Sequence, residues 1–247
     1  MKRSVLITGC AGGIGAALTE AFHQDGWLVI GVDHVETTLG VKNSAYIRAD
    51  LGELVRSPAT LQKFAEDVRT ACGKSPLTAM INNAAVQHVG RLNELKTDNI
   101  LETFDVNIAA PMLLAKTFLA DLEANKGSIV NIGSIHAQAT KKGFAAYATS
   151  KAALHGLTRA LAVDLGPDIR VNTLAPAATA TPMLVDGFKN NPEAMAALSD
   201  AHPLQRIAEP REIAEIAVFL ASEKAAFLTG ATLYADGGVL SRLNDPA

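Results

Sequence analysis

The sequence holds only two cysteines, Cys10 and Cys72, among 247 residues. They stand far apart without metal-ligand spacing, a usage that fits a reducing compartment where disulfides are rare. No uninterrupted apolar run nears the roughly 18 residues of a membrane span. Met1-Lys2-Arg3 before Ser4-Val5-Leu6-Ile7 has the charge pattern of a leader, and Ile7-Thr8-Gly9-Cys10 resembles a lipoprotein cleavage site. The apolar stretch after Arg3 is nevertheless shorter than the roughly 7–15 residues of a secretory core. No run of basic residues forms a patch, and a net charge of −3 with a pI near 6.1 is the wrong balance for nucleic acid. His88, His155 and His202 offer no zinc-ligand spacing, so no metal is expected. The expectation is a cytoplasmic protein that acts on a small molecule, with no nucleic-acid or membrane partner.

What is present is a regular alternation of short apolar runs and longer helical patterns. Strands are predicted over 4–8, 27–33, 45–49, 78–82, 128–132, 169–174 and 232–235. Helices are predicted over 13–25, 61–71, 98–123, 146–165 and 210–221. Strands without polar alternation, separated by helices, indicate a parallel sheet covered on both faces. The fold class is therefore α/β: a Rossmann-like, doubly wound parallel sheet in a three-layer α/β/α arrangement. No linker, composition break or repeat divides 1–247, which reads as a single domain. The stretch 182–206, with Pro182, Pro192 and Pro203, departs from the alternation, and a segment of that length is usually functional or mobile.

After the first strand comes Thr8-Gly9-Cys10-Ala11-Gly12-Gly13-Ile14-Gly15 and then a helix. Glycines let backbone approach a ligand, and a helix start offers free N–H groups to a pyrophosphate. The spacing differs from the G-x-G-x-x-G dinucleotide fingerprint, and glycines alone would also suit a turn without a ligand. The second strand ends on Asp33, about 20 residues on, where an acid accepts hydrogen bonds from an adenosine ribose. A 2′-phosphate there would meet repulsion, and neither Cys10 nor His34 is an Arg or Lys that would offset it. NAD is therefore expected rather than NADP; the alternative is an ordinary solvent-facing acid.

Tyr147 and Lys151 stand at i and i+4 of a predicted helix and so share a face. A nearby cation favours phenolate, and a tuned tyrosine can exchange a proton with an alcohol. Alone, the pair would equally suit an amphipathic surface. Ser134, after the strand over 128–132, adds a hydroxyl at the sheet edge where ligands bind and can stabilise charge on a substrate oxygen.

Taken together, these residues resemble the short-chain dehydrogenase/reductase family, of the compact NAD-preferring type, along nearly the whole chain. Thr8-Gly9-x3-Gly13-Ile14-Gly15 matches its cofactor turn, Asp50-Leu51 its adenine-contacting pair, and Asn82-Asn83-Ala84-Ala85 its Asn-Asn-Ala-Gly segment. Asn107, Ser134, Tyr147 and Lys151 match its four catalytic positions. The resemblance implies that Tyr147 is the acid/base and that Ser134 orients the substrate oxygen. Lys151 would hold the nicotinamide ribose and lower the Tyr147 pKa, while Asn107 would anchor a water linking Lys151 to solvent. A capping or kinking role for Asn107 is compatible with that. The segment 170–176, ending on Pro176, and Thr181-Pro182-Met183 match the part that receives the carboxamide, with Thr179 and Thr181 as contacts. Ala85 and Ala177 depart from the pattern, since Gly is usual at both, and an added Cβ is cheap only where φ is negative. The stretch from Asp33 to Asp50 is too short for the usual full helix, a trimming the family shows in NAD users.

His136 and Gln138 follow Ser134 and would face substrate or merely decorate a loop; a polar or carboxylate-bearing substrate would suit a histidine. The stretch 182–206 resembles the family's substrate lid. Its Met183, Leu184, Phe188 and Met195 would form an apolar wall or simply pack internally. The family is usually tetrameric, through surfaces matched by 98–123, 146–165 and the tail 230–238, which implies a homotetramer. The expected reaction transfers a hydride between NAD(H) and a secondary alcohol or ketone, tilted toward oxidation because cellular NAD is mostly oxidised. A 3-oxoacyl-carrier-protein reductase using NADPH and a non-catalytic dinucleotide sensor are the alternatives.

Overall fold

The computed structural model describes residues 3–36, 40 and 44–243, apart from the side chain of Met183. Seven strands form one parallel sheet: β1 (Ser4–Thr8), β2 (Leu28–Asp33), β3 (Ala45–Arg48), β4 (Leu77–Asn82), β5 (Ser128–Ile132), β6 (Arg170–Pro176) and β7 (Thr232–Ala235). Their spatial order is β3-β2-β1-β4-β5-β6-β7. Chain direction across the sheet therefore reverses between β1 and β4, and a crevice opens at the carboxyl ends there.

Strand geometry sends alternate side chains to opposite faces. Val5 and Ile7 pack on one face with Leu18 and Phe22 of α1 (Gly13–Gln24) and Ile213 and Leu220 of α10 (Pro210–Ala221). Leu6 points to the other face, among Phe64 and Val68 of α3 (Pro58–Cys72) and Leu114 of α5 (Ala110–Thr117). Both faces of β1 are thus buried, which is why its sequence shows no alternation.

Three expectations about the helices need correction. The helix predicted over 98–123 is broken into α4 (Thr97–Phe104), a π-helical turn (Asp105–Ala109), α5 and α6 (Leu119–Glu123). Pro111 is the physical reason: lacking an N–H, it leaves the carbonyl of Asn107, four residues earlier, without its ordinary helical donor. A short α2 (Leu51–Arg56) was not predicted; the Asp50 side chain caps it by accepting from the N–H groups of Gly52 and Glu53. The stretch 182–206 contains α8 (Pro182–Phe188) and α9 (Pro192–Asp200), each with a capping side chain, Thr181 or Asn191, directly before a first-turn proline. Between Asp33 and β3, none of the described residues is helical. Neither Ala85 nor Ala177 has positive φ, so both accept a Cβ without strain.

Candidate active site

Thr8 ends β1 and the chain turns at Gly9, whose φ of +68° favours glycine. The turn is braced from β4: the Asn83 side-chain amide donates to the carbonyls of Thr8 (3.0 Å) and Gly9 (2.9 Å), while the Thr8 hydroxyl accepts from the N–H groups of Asn83 and Ala84 (both 3.1 Å). A Cβ at Gly15 would lie 1.9 Å from the Gly9 carbonyl oxygen, so the turn folds directly onto the start of α1. That start has Gly12 as its cap, no side-chain hydrogen bond and no acid in its first turn. Its N–H groups are thus free of side-chain partners, which is what an anionic group requires. Thr181 and Pro182 border the turn, each with an atom 2.9 Å from the Cβ position of Gly13, and half-buried Ile14 follows.

Asp33 is buried at the end of β2. Its carboxylate accepts from the N–H of Ala11 (2.9 Å) and the N–H of His34 (2.8 Å), which aims it beside the turn. The His34 imidazole lies 3.0 Å from the same carboxylate, an exposed partner that sequence spacing did not single out. Burial, followed by the Asp33 charge, pushes the Cys10 thiol up to about 12, so this cysteine is an inert filler. Asp50 and Leu51 stand at the start of α2, the aspartate as its cap and the leucine buried. Thr179 is buried just beyond Pro176, the last residue of β6, and donates to the Ala177 carbonyl (3.2 Å).

The other half of the crevice is built by β5 and α7 (Ala145–Leu165). Tyr147 and Lys151 lie one turn apart on α7, and Ser134 just past β5 faces the phenol. Burial raises the Tyr147 pKa, and the neighbouring Ser134 hydroxyl pulls it partly back. Lys151 was expected to lower it, but its ammonium donates to the Ile132 carbonyl (2.8 Å) and stands 5.6 Å from the Tyr147 ring centre. With the cation turned to the strand, desolvation of phenolate decides the direction. Burial also draws Lys151 itself down to about 8.

Asn107 sits in the π turn and is buried. Its side chain bonds both main-chain groups of Val86, accepting from N–H (2.9 Å) and donating to C=O (3.0 Å). It also donates to Ser150 Oγ (3.0 Å), whose hydroxyl donates to the Tyr147 carbonyl (2.7 Å). Ser150, absent from the sequence reading, therefore ties the π turn to the helix that carries Tyr147. The signal for it was only its place next to Lys151.

His136 is clamped to Ser134 through a one-turn 3-10 helix (Ile135–Ala137), its N–H donating to Ser134 Oγ (3.1 Å). Its ring stacks on Phe144 at 4.6 Å and meets Tyr147 edge-on at 5.9 Å. Gln138 is the residue that follows this turn and is exposed.

A second histidine lies under the site. His155, one turn beyond Lys151, is buried with Nε2 unpartnered, and a Cβ at Gly133 would lie 2.4 Å from that nitrogen. Burial first, then the charges of Lys151 and Arg159, lowers its pKa to about 4. The unfolded chain takes up this proton near pH 6.5 and the folded chain does not, so stability falls as the pH drops from 6.5 toward 4. The loss is about 3 kcal/mol at the bottom of that window. Urea midpoints followed from pH 7 to 4.5 should decline more steeply in the wild type than in His155→Gln; parallel curves would exclude His155 as the cause.

The sheet edge thus brings together a braced glycine turn, a strand-end acid, and a Ser–Tyr–Lys group with an asparagine behind it. A family model described as enoyl-(acyl carrier protein) reductase matches residues 9–240. The protein FixR of Bradyrhizobium diazoefficiens is 37% identical, over 95% of this chain and 85% of its own length. The aldohexose dehydrogenase of Thermoplasma acidophilum superposes with a TM-score of 0.90 at 29% identity, over 100% of this chain and 97% of that one. ElxO, solved with NADP bound, gives a TM-score of 0.86 at 26% identity, over 98% and 100% of the two chains. A match over nearly the full length, the 3-2-1-4-5-6-7 parallel sheet and the shared fold lead to one conclusion: the chain belongs to the short-chain dehydrogenase/reductase family.

Proposed function

We propose that this protein interconverts a secondary alcohol and its ketone with NAD(H), and that Tyr147 is the acid/base. The observation that carries the reading is the convergence of Tyr147, Ser134 and buried Lys151 where β5 meets α7. The uncapped start of α1, folded against Gly9, fits a pyrophosphate, and Asp33 beside it fits a ribose diol. A nicotinamide held there would supply the acceptor or donor of the hydride exchanged with the alcohol carbon. The chain supplies the rest. Ser134 and the Tyr147 hydroxyl hold the substrate oxygen, and Tyr147 takes or gives its proton. Lys151 would hold the nicotinamide ribose. Thr179, Thr181 and Pro176 would receive the carboxamide end. Ile14, Asp50, Leu51, Asn83 and Ala84 line or brace the cofactor groove. The carbonyl of Asn107, without a helical donor because of Pro111, anchors a water that carries protons from Lys151 outward.

NAD is the preferred form in this reading. A 2′-phosphate about 4 Å from Asp33 would be repelled by about 4 kcal/mol per unit charge near a protein surface. ElxO, which holds NADP, shares the fold, so the choice rests on local charge rather than on architecture. Asp33→Ala should reduce the NAD-over-NADP affinity ratio at least about tenfold, measured as dissociation constants for both cofactors. An unchanged ratio would make Asp33 a bystander.

The reading is tested by assaying sugars, hydroxy acids, cyclic diols and steroids with NAD and NADP. Turnover with NAD is expected. Failure of every class with both cofactors would overturn the activity, whereas a preference for NADP would overturn only the cofactor assignment. The carrier-protein thioester in the description of the matching family model favours a second reading, reduction of the C3 ketone of a 3-oxoacyl thioester, the bond next to the one an enoyl reductase acts on. NADPH-dependent turnover of a 3-oxoacyl thioester would favour it. The same proposal takes the protein as cytoplasmic and as a homotetramer, whose contacts would cover Leu101 on α4, Met112 on α5, Val163 on α7 and Leu233 on β7, all exposed in the single chain.

A further inference from the structure

We propose that the alcohol accepted beside Tyr147 carries a carboxylate, received by the Lys141 ammonium and Nε2 of His136. This deepens the alcohol–ketone reading and rests on it. Two rings pack around the phenol: His136 stacks on Phe144 at 4.6 Å, and each meets Tyr147 edge-on, at 5.9 and 6.2 Å. His136 is fixed at two further points, since its main-chain N–H donates to Ser134 Oγ and its ring Nδ1 pairs with Thr140 Oγ1 at 2.9 Å. If the threonine hydroxyl donates, Nδ1 accepts and Nε2 bears the proton. Burial, with the Lys141 charge second, lowers the His136 pKa, so the ring is neutral at pH 7 and Nε2–H is a donor without a cost in charge. A carboxylate oxygen is the natural partner for such a donor.

The charge comes from Lys141. Its Nζ lies 4.8 Å from the centre of the Phe144 ring, a cation–π contact that holds the ammonium at the ring stack rather than leaving it to swing in water. Among the described residues no carboxylate lies within 4.0 Å of it. On the segment that meets this loop, Glu102 pairs with His88 at 2.7 Å, and Glu94 accepts from the N–H of Arg91 at 2.8 Å. That neighbouring segment is tied to the Lys141 loop by the Gly90 N–H, which donates to the Gly143 carbonyl at 3.0 Å. A cation and a neutral donor are therefore held on one ring stack beside the reacting phenol. A neutral polyol would use the imidazole and leave the ammonium idle, whereas a hydroxy acid uses both.

The experiment compares hydroxy acids of four to six carbons, bearing the hydroxyl at C2, C3 or C4, with their methyl esters, using the NAD-loaded enzyme. At least one acid should exceed its ester by about tenfold or more in kcat/KM. Lys141→Gln should raise KM for that acid about fivefold or more, leave kcat within about twofold and not affect the ester; Lys141→Arg should restore it. Butanoate, which has no hydroxyl to oxidise, gives a readout without turnover. Calorimetric titration should show saturable binding that Lys141→Gln weakens. Esters that match their acids in every pair, or a Lys141→Gln effect common to both, would overturn the proposal while leaving the alcohol–ketone reading intact. Lys141-dependent butanoate binding without turnover of any alcohol would uphold the carboxylate site and remove the reaction assigned to it.

Discussion

Replacing Tyr147 with phenylalanine is expected to lower turnover of any accepted alcohol by at least about 100-fold, within the range that acid–base catalysis supplies. Affinity for NAD should stay within about twofold. The substitution removes one oxygen and leaves the ring, which is held edge-on by His136 and Phe144, so the helix and the shape of the crevice persist. Ser134 remains to hold the substrate oxygen but has no base behind it. Burial keeps the phenol above its ordinary pKa, so the isolated site holds it protonated at neutral pH. That state is ready to donate to a ketone and must lose its proton before it can accept from an alcohol. Oxidation should therefore rise with pH and reduction fall. Lys151, drawn down to about 8, titrates within the same range and shapes the alkaline limb. Steady-state rates in both directions from pH 6 to 10, with calorimetric NAD binding for each protein, check this. Undiminished turnover in Tyr147→Phe would remove the phenol from the chemistry.

The sheet was legible in the sequence because its strands are short runs buried on both faces, bounded by turn residues. Six of the seven strands lie within one residue of where apolar runs place them at each end; β6 alone runs two residues further, to Pro176. What sequence pattern missed lies in local backbone chemistry. The chain over 98–123 has a continuous helical pattern, yet Pro111 withholds one N–H and the helix breaks at Asn107. In α8 and α9 the markers were present as Thr181-Pro182 and Asn191-Pro192, a cap before a first-turn proline, but the surrounding prolines read as loop. The site was legible as residue types at fixed spacing and not as orientations. Spacing placed Lys151 beside Tyr147, while the Ile132 carbonyl decides where its ammonium points. Ser150 under Asn107 and the ring stack of His136 on Phe144 depend on contacts between segments that no local pattern encodes, and the turn of the His34 imidazole back onto its chain neighbour Asp33 is a matter of rotamer.

Gly15→Ala is expected to weaken NAD binding at least about 100-fold and to lower stability by about 1–3 kcal/mol, the cost of overpacking. The new Cβ would stand 1.9 Å from the Gly9 carbonyl oxygen, 2.7 Å from its carbon and 2.8 Å from the Cα of Cys10. All three are backbone atoms, so no side chain can swing aside to relieve the clash. Nor can the turn retreat toward β4. Gly9 is pressed there against Ala84, whose Cα lies 2.8 Å from the position of a Gly9 Cβ, and Asn83 grips the carbonyls of Thr8 and Gly9. The remaining direction is outward, into the space in front of the α1 N–H groups. A shift of about 1 Å is enough to take those donors out of hydrogen-bonding geometry. Gly12→Ala is the control for stability, because its Cβ would meet nothing of the protein nearer than the Gly9 oxygen at 3.6 Å and its φ is −73°. Calorimetric NAD titration and thermal melts of the three proteins separate the outcomes. A Gly15→Ala protein that melts lower yet binds NAD as tightly as wild type would mean that the turn supports the fold without seating the pyrophosphate.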